Sequence, residues 1–230
     1  MEAVVLCGGL GTRLRSILPD QQKCMAPILG MPFLEILLKL LARSGFGSVV
    51  LAAGYKSDDI ASRFGSQYGG MSVHMSIEEA PLGTAGAVRL AMQRVAGDHF
   101  VVLNGDTFLL VDFLALEDLW LTHQDSVIVA REVPEVDRYG CLNIQDGRVL
   151  GIFEKGGSGK GFVNAGCYLF NRAEFESFKV HSPLSLEKDV LPALIEARSV
   201  RALKYTGPFI DIGIPESFRA AEAILRPLSL

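Results

Sequence analysis

The chain has 230 residues, 49% of them apolar, which suits one sizeable α/β core or at most two small domains. Its 22 basic and 26 acidic residues leave a formal net charge of −4, so nothing points to nucleic acid or an anionic membrane surface as a partner. The longest apolar runs fall far short of the ~20 residues needed to span a bilayer, and no signal peptide precedes the first strand pattern, so the expected location is the cytoplasm. Four cysteines, Cys7, Cys24, Cys141 and Cys167, form no Cys-x-x-Cys pair and match no zinc spacing. They are expected as buried free thiols in a reducing compartment.

Ala3 to Leu6 form a short apolar, β-branched run that reads as a buried strand. It ends in Cys7-Gly8-Gly9-Leu10-Gly11-Thr12-Arg13. Without Cβ atoms such a loop turns sharply and lets its backbone approach a ligand. Successive N–H groups there make an anion-binding concavity, and Arg13 adds a permanent fork of donors suited to phosphate. Lys23, ten residues on, is a second cation that can fold back over the loop. The physical reading is a phosphate cradle at the carboxyl end of the first strand, although a bare glycine loop reads equally well as a simple turn. Two other phosphate motifs fail. A dinucleotide fingerprint lacks its third glycine, because Leu14 follows Arg13, and Gly157-Ser158-Gly159-Lys160-Gly161 has the wrong spacing for a Walker loop.

Further along, Phe33 to Arg43 reads as a largely buried helix closed by Ser44-Gly45. Ser48 to Ala53 reads as a second parallel strand, Asp58 to Phe64 as a polar helix, and Ser72 to Ile77 as a third strand. Glu78-Glu79-Ala80-Pro81-Leu82-Gly83-Thr84-Ala85-Gly86-Ala87 leads from that strand into a helix reaching about Val95. Small residues at a helix start let a flat ring lie on the backbone, where free N–H groups can donate to it; a tight packing turn is the equal alternative. His99 to Leu103 is a central strand ending in Asn104-Gly105-Asp106-Thr107. A carboxylate just past such a strand suits a hard cation or, alone, a helix cap. Asp112 to Thr122 reads as a helix, Ser126 to Ala130 as a core strand, and Val136 to Phe153 as a hairpin turning at Asp146-Gly147. Phe162 to Phe170 is another strand, Leu186 to Ala197 a helix, and Arg201 to Tyr205 a strand. Asp211 then sits between apolar neighbours in Phe209-Ile210-Asp211-Ile212-Gly213, so it needs a partner, most simply a metal. Pro215 starts the last helix.

These motifs, in this order, resemble the sugar-1-phosphate nucleotidyltransferases over nearly the whole chain: the glycine loop with Lys23-x-Met25-x-Pro27, Pro81 to Ala87, Asn104-Gly105-Asp106, Glu154-Lys155 with Asn164-Ala165-Gly166, and Asp211-x-Gly213-x-Pro215. The resemblance implies a Rossmann-like three-layer α/β sandwich around a mixed, mainly parallel central sheet. It implies one domain over 1–230, with a nucleotide-binding half to about residue 135 and a sugar-phosphate half from about 136. Arg13, Lys23 and Asp106 would be catalytic, and Asp106 and Asp211 would hold Mg²⁺. Leu6, Cys7, Gly8, Gly9, Gly11, Thr12 and Arg13 would bind the nucleotide phosphates. Glu79, Pro81, Gly83, Thr84 and Ala85 would hold the base. Gly105, Tyr139, Gly140, Glu154, Lys155, Asn164, Gly166 and Glu187 would hold the sugar phosphate.

Within that family the cues are most similar to the short D-glycero-α-D-manno-heptose 1-phosphate guanylyltransferases, which implies GTP and a heptose 1-phosphate as substrates. Mannose 1-phosphate with GTP, or glucose 1-phosphate with dTTP, UTP or CTP, are the alternatives within the family. Two departures stand out: Ala80 where GTP-using relatives often carry an acid, which leaves Glu78 or Glu79 to reach the base, and Cys24 where the family usually has proline. A non-catalytic nucleotide-sugar sensor would be expected to lose Asp106, Asp211 or the loop cations, and all are present. The apolar content also suits a homo-oligomer.

Overall fold

The computed structural model describes residues 1–9, 14, 18, 21–54, 56–136, 141–153, 158–179 and 183–228. In chain order it opens with β1 (Glu2–Leu6), whose Ala3, Val4 and Val5 are wholly buried. The Glu2 carboxylate fixes the start of this strand by accepting from the Ala96 and Gly97 amides and from the Ser48 hydroxyl. A minimal hairpin of β2 (Pro27–Ile28) and β3 (Met31–Pro32) follows, turning through Leu29 and Gly30, both at positive φ.

Helix α1 (Phe33–Arg43) buries seven apolar side chains and is closed by the Ser44 amide and hydroxyl on Leu40 O, with Gly45 at φ +80° just beyond. Next come β4 (Ser48–Ala53), α2 (Ser57–Phe64), β5 (Gln67–Tyr68), β6 (Met71–Ile77) and α3 (Gly83–Ala91). Central strand β7 (His99–Asn104) and short β8 (Thr107–Leu109) precede α4 (Phe113–His123). Asp112 caps that helix by accepting from the Leu114 and Ala115 amides, the role open to an acid at that position.

The rest of the chain runs through β9 (Ser126–Val133), the hairpin β10 (Cys141–Gln145) and β11 (Arg148–Phe153), and the long β12 (Gly161–Asn171). Helix α5 (Arg172–Ser177), a π turn (Leu186–Val190), α6 (Leu191–Glu196), β13 (Val200–Tyr205), β14 (Phe209–Asp211) and α7 (Pro215–Leu225) complete it. The hairpin turns through Asp146 (φ 49°) and Gly147 (φ 75°), the left-handed pair that a two-residue connection requires.

Ten strands form one sheet in the order β10-β11-β13-β9-β12-β7-β1-β4-β6-β5. The run β7-β1-β4-β6 is parallel, as is β9 with β13. The remaining neighbours pair antiparallel, so the sheet is mixed, with its parallel part concentrated around β1. Alternate residues of one strand go to opposite faces. Val4, Val50 and Val102 join a core with α3, α5 and α6, whereas Val5, Leu51 and Val101 join one with α1, α4 and α7. Helices on both faces of one sheet are the three layers expected. The halves drawn at about residue 135 are interleaved, because β12 lies between β7 and β9, which both precede that boundary.

Candidate active site

β1 and β7 end side by side, with Leu6 opposite Asn104, and their carboxyl ends open into a cleft of about 320 Å³. Its floor is Leu6, Cys7, Gly8 and Gly9 from the first strand and Asn104, Gly105 and Asp106 from the central one. Gly105 donates its amide to Leu6 O at 3.0 Å, and a Cβ there would stand 2.5 Å from that same oxygen. A glycine before Asp106 is therefore what lets the two strand ends close together. Leu10, Gly11, Thr12, Arg13, Tyr139, Gly140, Glu154 and Lys155 lie outside the described residues.

Lys23 comes from a single 3₁₀ turn and lies between two carboxylates. Its ammonium donates to Asp106 Oδ2 and stands 3.7 Å from Asp211 Oδ1. The two aspartates are 105 residues apart in sequence, and a short ladder unites them. β14 pairs antiparallel with β8 so that Asp211 faces Thr107, and the Ile212 amide donates to Asp106 O at 2.9 Å. Thr107 Oγ1 donates to Asp106 Oδ1 at 3.0 Å, and the Gly213 amide to Asp211 Oδ1 at 2.6 Å. The Lys23 side chain is 11% exposed, against 31% for Asp106 and 50% for Asp211, so the cation is buried and the carboxylates reach the cleft edge. The expected partner for Asp211 thus includes Lys23 as well as any metal. Among the described residues no group of three His, Cys, Asp or Glu side chains could hold a metal ion. The two carboxylates nevertheless offer hard oxygen donors of the kind Mg²⁺ takes when substrate phosphates and water complete its shell.

One wall is the Pro81 to Ala87 segment, where Pro81, Gly83, Thr84 and Ala87 line the cleft and Ala85 is buried behind them. Its amides are less open than the sequence suggests. Leu184 O accepts from Ala85 N at 2.9 Å and from Gly86 N at 3.3 Å, while Leu82 N donates to Glu78 Oε2 at 3.0 Å. Gly83 sits at φ +76°, and a Cβ on it would meet Leu184 O at 2.4 Å. This glycine therefore seats the segment against residue 184, the packing role weighed above as the alternative. Glu79, expected at the base, is exposed and off the cleft lining; its neighbour Glu78 lines the cleft instead. Just past the end of β6 the Glu78 amide still donates to Ala53 O at 3.0 Å, which holds that residue beside the cleft, whereas Glu79 lies in the bend that follows. Glu78 Oε1 lies 3.1 Å from where a Gly8 Cβ would stand and 3.0 Å from a Gly54 Cβ, so its carboxylate braces the base segment against the glycine loop.

Beside this wall stands Glu187 on the π turn, a helix irregularity often found at functional sites. Glu187 Oε2 accepts from Thr84 Oγ1 at 3.2 Å and from Ser185 Oγ at 3.1 Å, which ties the turn to the base segment. Asn164 and Gly166 are set back from the cleft. The Asn164 amide donates to the Tyr168 hydroxyl at 2.7 Å and accepts from the Gly166 amide at 2.9 Å, so both of its ends face inward. Gly166, at φ +69° where β12 slips register against β9, would drive a Cβ to 2.5 Å from Asn104 Nδ2. It thereby makes room for Asn104, which lines the cleft and which the sequence reading had only as part of a strand-end motif. Burial, and after it the Glu187 charge, pushes the Tyr168 hydroxyl far above its ordinary range, so that it stays protonated. Burial likewise raises Cys167.

The nucleotidyl transferase family profile matches residues 2–226. The chain is 37% identical to the D-glycero-alpha-D-manno-heptose 1-phosphate guanylyltransferase of Aneurinibacillus thermoaerophilus, over 98% of this chain and 99% of that one. It is also 37% identical to the enzyme of the same name from Campylobacter jejuni, over 95% and 97%. Among solved structures, HddC from Yersinia pseudotuberculosis superposes with a TM-score of 0.86 at 37% identity, covering 96% of this chain and 98% of that one; a second structure of HddC is complexed with GMP-PN. With a cleft at the carboxyl ends of β1 and β7, a buried lysine between two aspartates and full-length similarity of this kind, the chain belongs to the nucleotidyl transferase family.

Proposed function

We propose that the protein transfers the guanylyl group of GTP to D-glycero-α-D-manno-heptose 1-phosphate, releasing pyrophosphate, with Mg²⁺ as cofactor and in the cytoplasm. The observation that carries the substrate assignment is the 37% identity to two heptose 1-phosphate guanylyltransferases across nearly the entire length of each. The site chemistry is consistent with it. A sugar-phosphate oxygen attacking the α-phosphorus is already an anion, so no protein nucleophile is needed; positioning and charge neutralisation are what remain. Lys23, held in the cleft beside Asp106, would offset charge gathering on the α-phosphate. Gly8 and Gly9 would present backbone at the cleft floor to the triphosphate, and Pro81, Gly83 and Thr84 a wall of small residues to the base. Besides Asp106, Glu78 and Glu187 bring carboxylates to the cleft lining that would accept from substrate donors. Asp106 and Asp211 would hold Mg²⁺, which when bound neutralises phosphate charge and orients the triphosphate. The cytoplasmic placement draws on the four cysteines, all free thiols. No helix among the described residues is long and apolar enough to cross a membrane.

The test is pyrophosphate release with Mg²⁺, crossing GTP, dTTP, UTP, CTP and ATP against heptose, mannose and glucose 1-phosphates. Release that requires both GTP and the heptose 1-phosphate supports the assignment. A mannose or glucose preference moves it to another member of the family, and silence across the grid with nucleotide still bound would favour a sensor.

A further inference from the structure

Two thiols that the proposed reaction does not use lie under the cleft. Cys7 leaves the end of β1, its amide held by Ala52 O at 2.7 Å. Cys24 sits in the 3₁₀ turn next to Lys23. Although 17 residues apart, they meet. Cys24 Sγ lies 3.9 Å from Cys7 O, and Cys7 Sγ in turn donates to Val5 O at 3.5 Å. Each residue is only 3% exposed, yet both line the cleft, so the cleft mouth is their route to solvent. The other two cysteines differ: Cys167 is wholly buried off the cleft, and Cys141 is on the hairpin.

We propose that Cys7 and Cys24 form a modification site, a reversible disulfide made by exchange with low-molecular-weight disulfides, which blocks nucleotide binding and which bound nucleotide prevents. In the first step a thiolate of the pair attacks one sulfur of the small disulfide, forming a mixed disulfide and expelling one small thiolate. The second protein thiolate then attacks the protein sulfur of that mixed disulfide and expels the other. Two protein thiols are oxidised, one small disulfide is reduced to two small thiols, and the two protons pass to those thiols. The Cys24 neighbour first, and burial second, raise the Cys7 thiol well above its ordinary value, so the thiolate is scarce at neutral pH and exchange quickens as pH rises. A sulfur–sulfur bond of about 2 Å takes the Cys24 thiol from the Cys7 carbonyl to the Cys7 sulfur and draws the Lys23 turn toward β1. That moves the ammonium away from its seat beside Asp106 and shifts the backbone of Gly8.

This proposal rests on the reading of the cleft as a nucleotide site, so the reduced protein is first titrated calorimetrically with GTP. The protein is then treated with oxidised glutathione at pH 8.5, with and without GTP, and followed by thiol count, peptide mapping and a second GTP titration. The expected result is loss of two thiols, a linked Cys7–Cys24 peptide, GTP affinity lower by at least tenfold, full recovery on reduction, and slower bridging when GTP is present. Cys24→Ser should hold its own reduced-state GTP affinity through the same treatment. Retention of all four thiols after exhaustive exchange, or a Cys7–Cys24 bridge with GTP affinity unchanged, overturns the proposal. If the reduced protein binds no GTP, the functional reading fails instead, and the thiol count and peptide map still decide whether the bridge forms.

Discussion

Gly105→Ala is the sharpest single perturbation that the fold offers. Gly105 follows β7 and precedes Asp106, and its amide hydrogen bond to Leu6 O holds the ends of β1 and β7 together. An added methyl would sit 2.5 Å from Leu6 O, 3.2 Å from Leu6 C and 3.5 Å from Cys7 Sγ. The first two are backbone atoms in the middle of a ten-stranded sheet, so no side-chain rotation relieves the clash. The strand ends must part by roughly 1 Å to reach ordinary contact, given that carbon–carbon contacts settle near 3.5–4 Å. Overpacking of this kind costs about 1–3 kcal/mol, and weakening the Gly105 hydrogen bond adds about 1 kcal/mol. The sum is a destabilisation of about 2–4 kcal/mol, or a Tm lower by about 5–15 °C for a chain of this size. Asp106 and the Cys7-Gly8 backbone ride on the same displacement, so kcat/KM should fall by about 10²-fold or more, since ångström-scale misplacement of reacting groups has that effect. Urea unfolding with steady-state pyrophosphate release measures both. A variant with an unchanged urea midpoint and near-normal kcat/KM would show that the strand ends tolerate a side chain and that the close approach does not position Asp106.

Lys23→Met should lower kcat by about 10²-fold or more, because it removes the positive charge held beside Asp106, while circular dichroism stays that of the parent. Chelation with EDTA should stop pyrophosphate release, and excess Mg²⁺ should restore it; release that persists in EDTA would remove the metal role from Asp106 and Asp211. Gly83→Ala forces a side chain into positive φ and onto Leu184 O, so it should raise KM for GTP more than it lowers kcat, read from initial rates over a GTP series. Tyr205 offers a pH signature. Its hydroxyl accepts from the Leu110 amide and donates to Pro208 O, and burial pushes it from an ordinary 10.0 up to about 12. The protonated form is the one the fold favours, so its contribution is whole below pH 10 and drains away as pH rises toward 12. Urea midpoints at pH 9 and pH 11 should therefore fall less in Tyr205→Phe than in the parent.

Much of this site was legible in the sequence because its parts sit where local rules are strict. Gly8 and Gly9 follow a strand of three buried residues, Asp106 follows another, and Pro81 to Ala87 spans a strand-to-helix turn; each is a strand end, and strand ends of parallel sheets converge. What escaped was set by pairing between distant segments. β8 and β14 are three residues each, too short for periodicity to register, yet their ladder is what places Asp211 beside Asp106. Of Glu78 and Glu79, both open to the base on the sequence, it is Glu78 that lines the cleft, held there by its amide on Ala53 O beyond the end of β6. Asn164 matched a motif, but its amide answers to Tyr168 and Gly166, partners that appear only once β12 slips its register. The third-layer helix α5 also went unread: six residues with one buried phenylalanine carry little helical pattern.

The place of β12 in the sheet governs the order in which this chain can fold. β9 has as its neighbours β12 and β13, both of which come later in the sequence, so it has no strand to pair with until residues beyond 161 exist. β7 meanwhile keeps one open edge along its own apolar run Phe100 to Leu103. On a ribosome, the first 135 residues would thus emerge as an incomplete sheet with unpaired apolar strands, the form most prone to associate with copies of itself. Insertion of one strand between β7 and β9 closes both gaps at once. Synthesis, stalled or truncated between residues 133 and 161, should therefore yield chains that depend on chaperones rather than a small stable nucleotide-binding module.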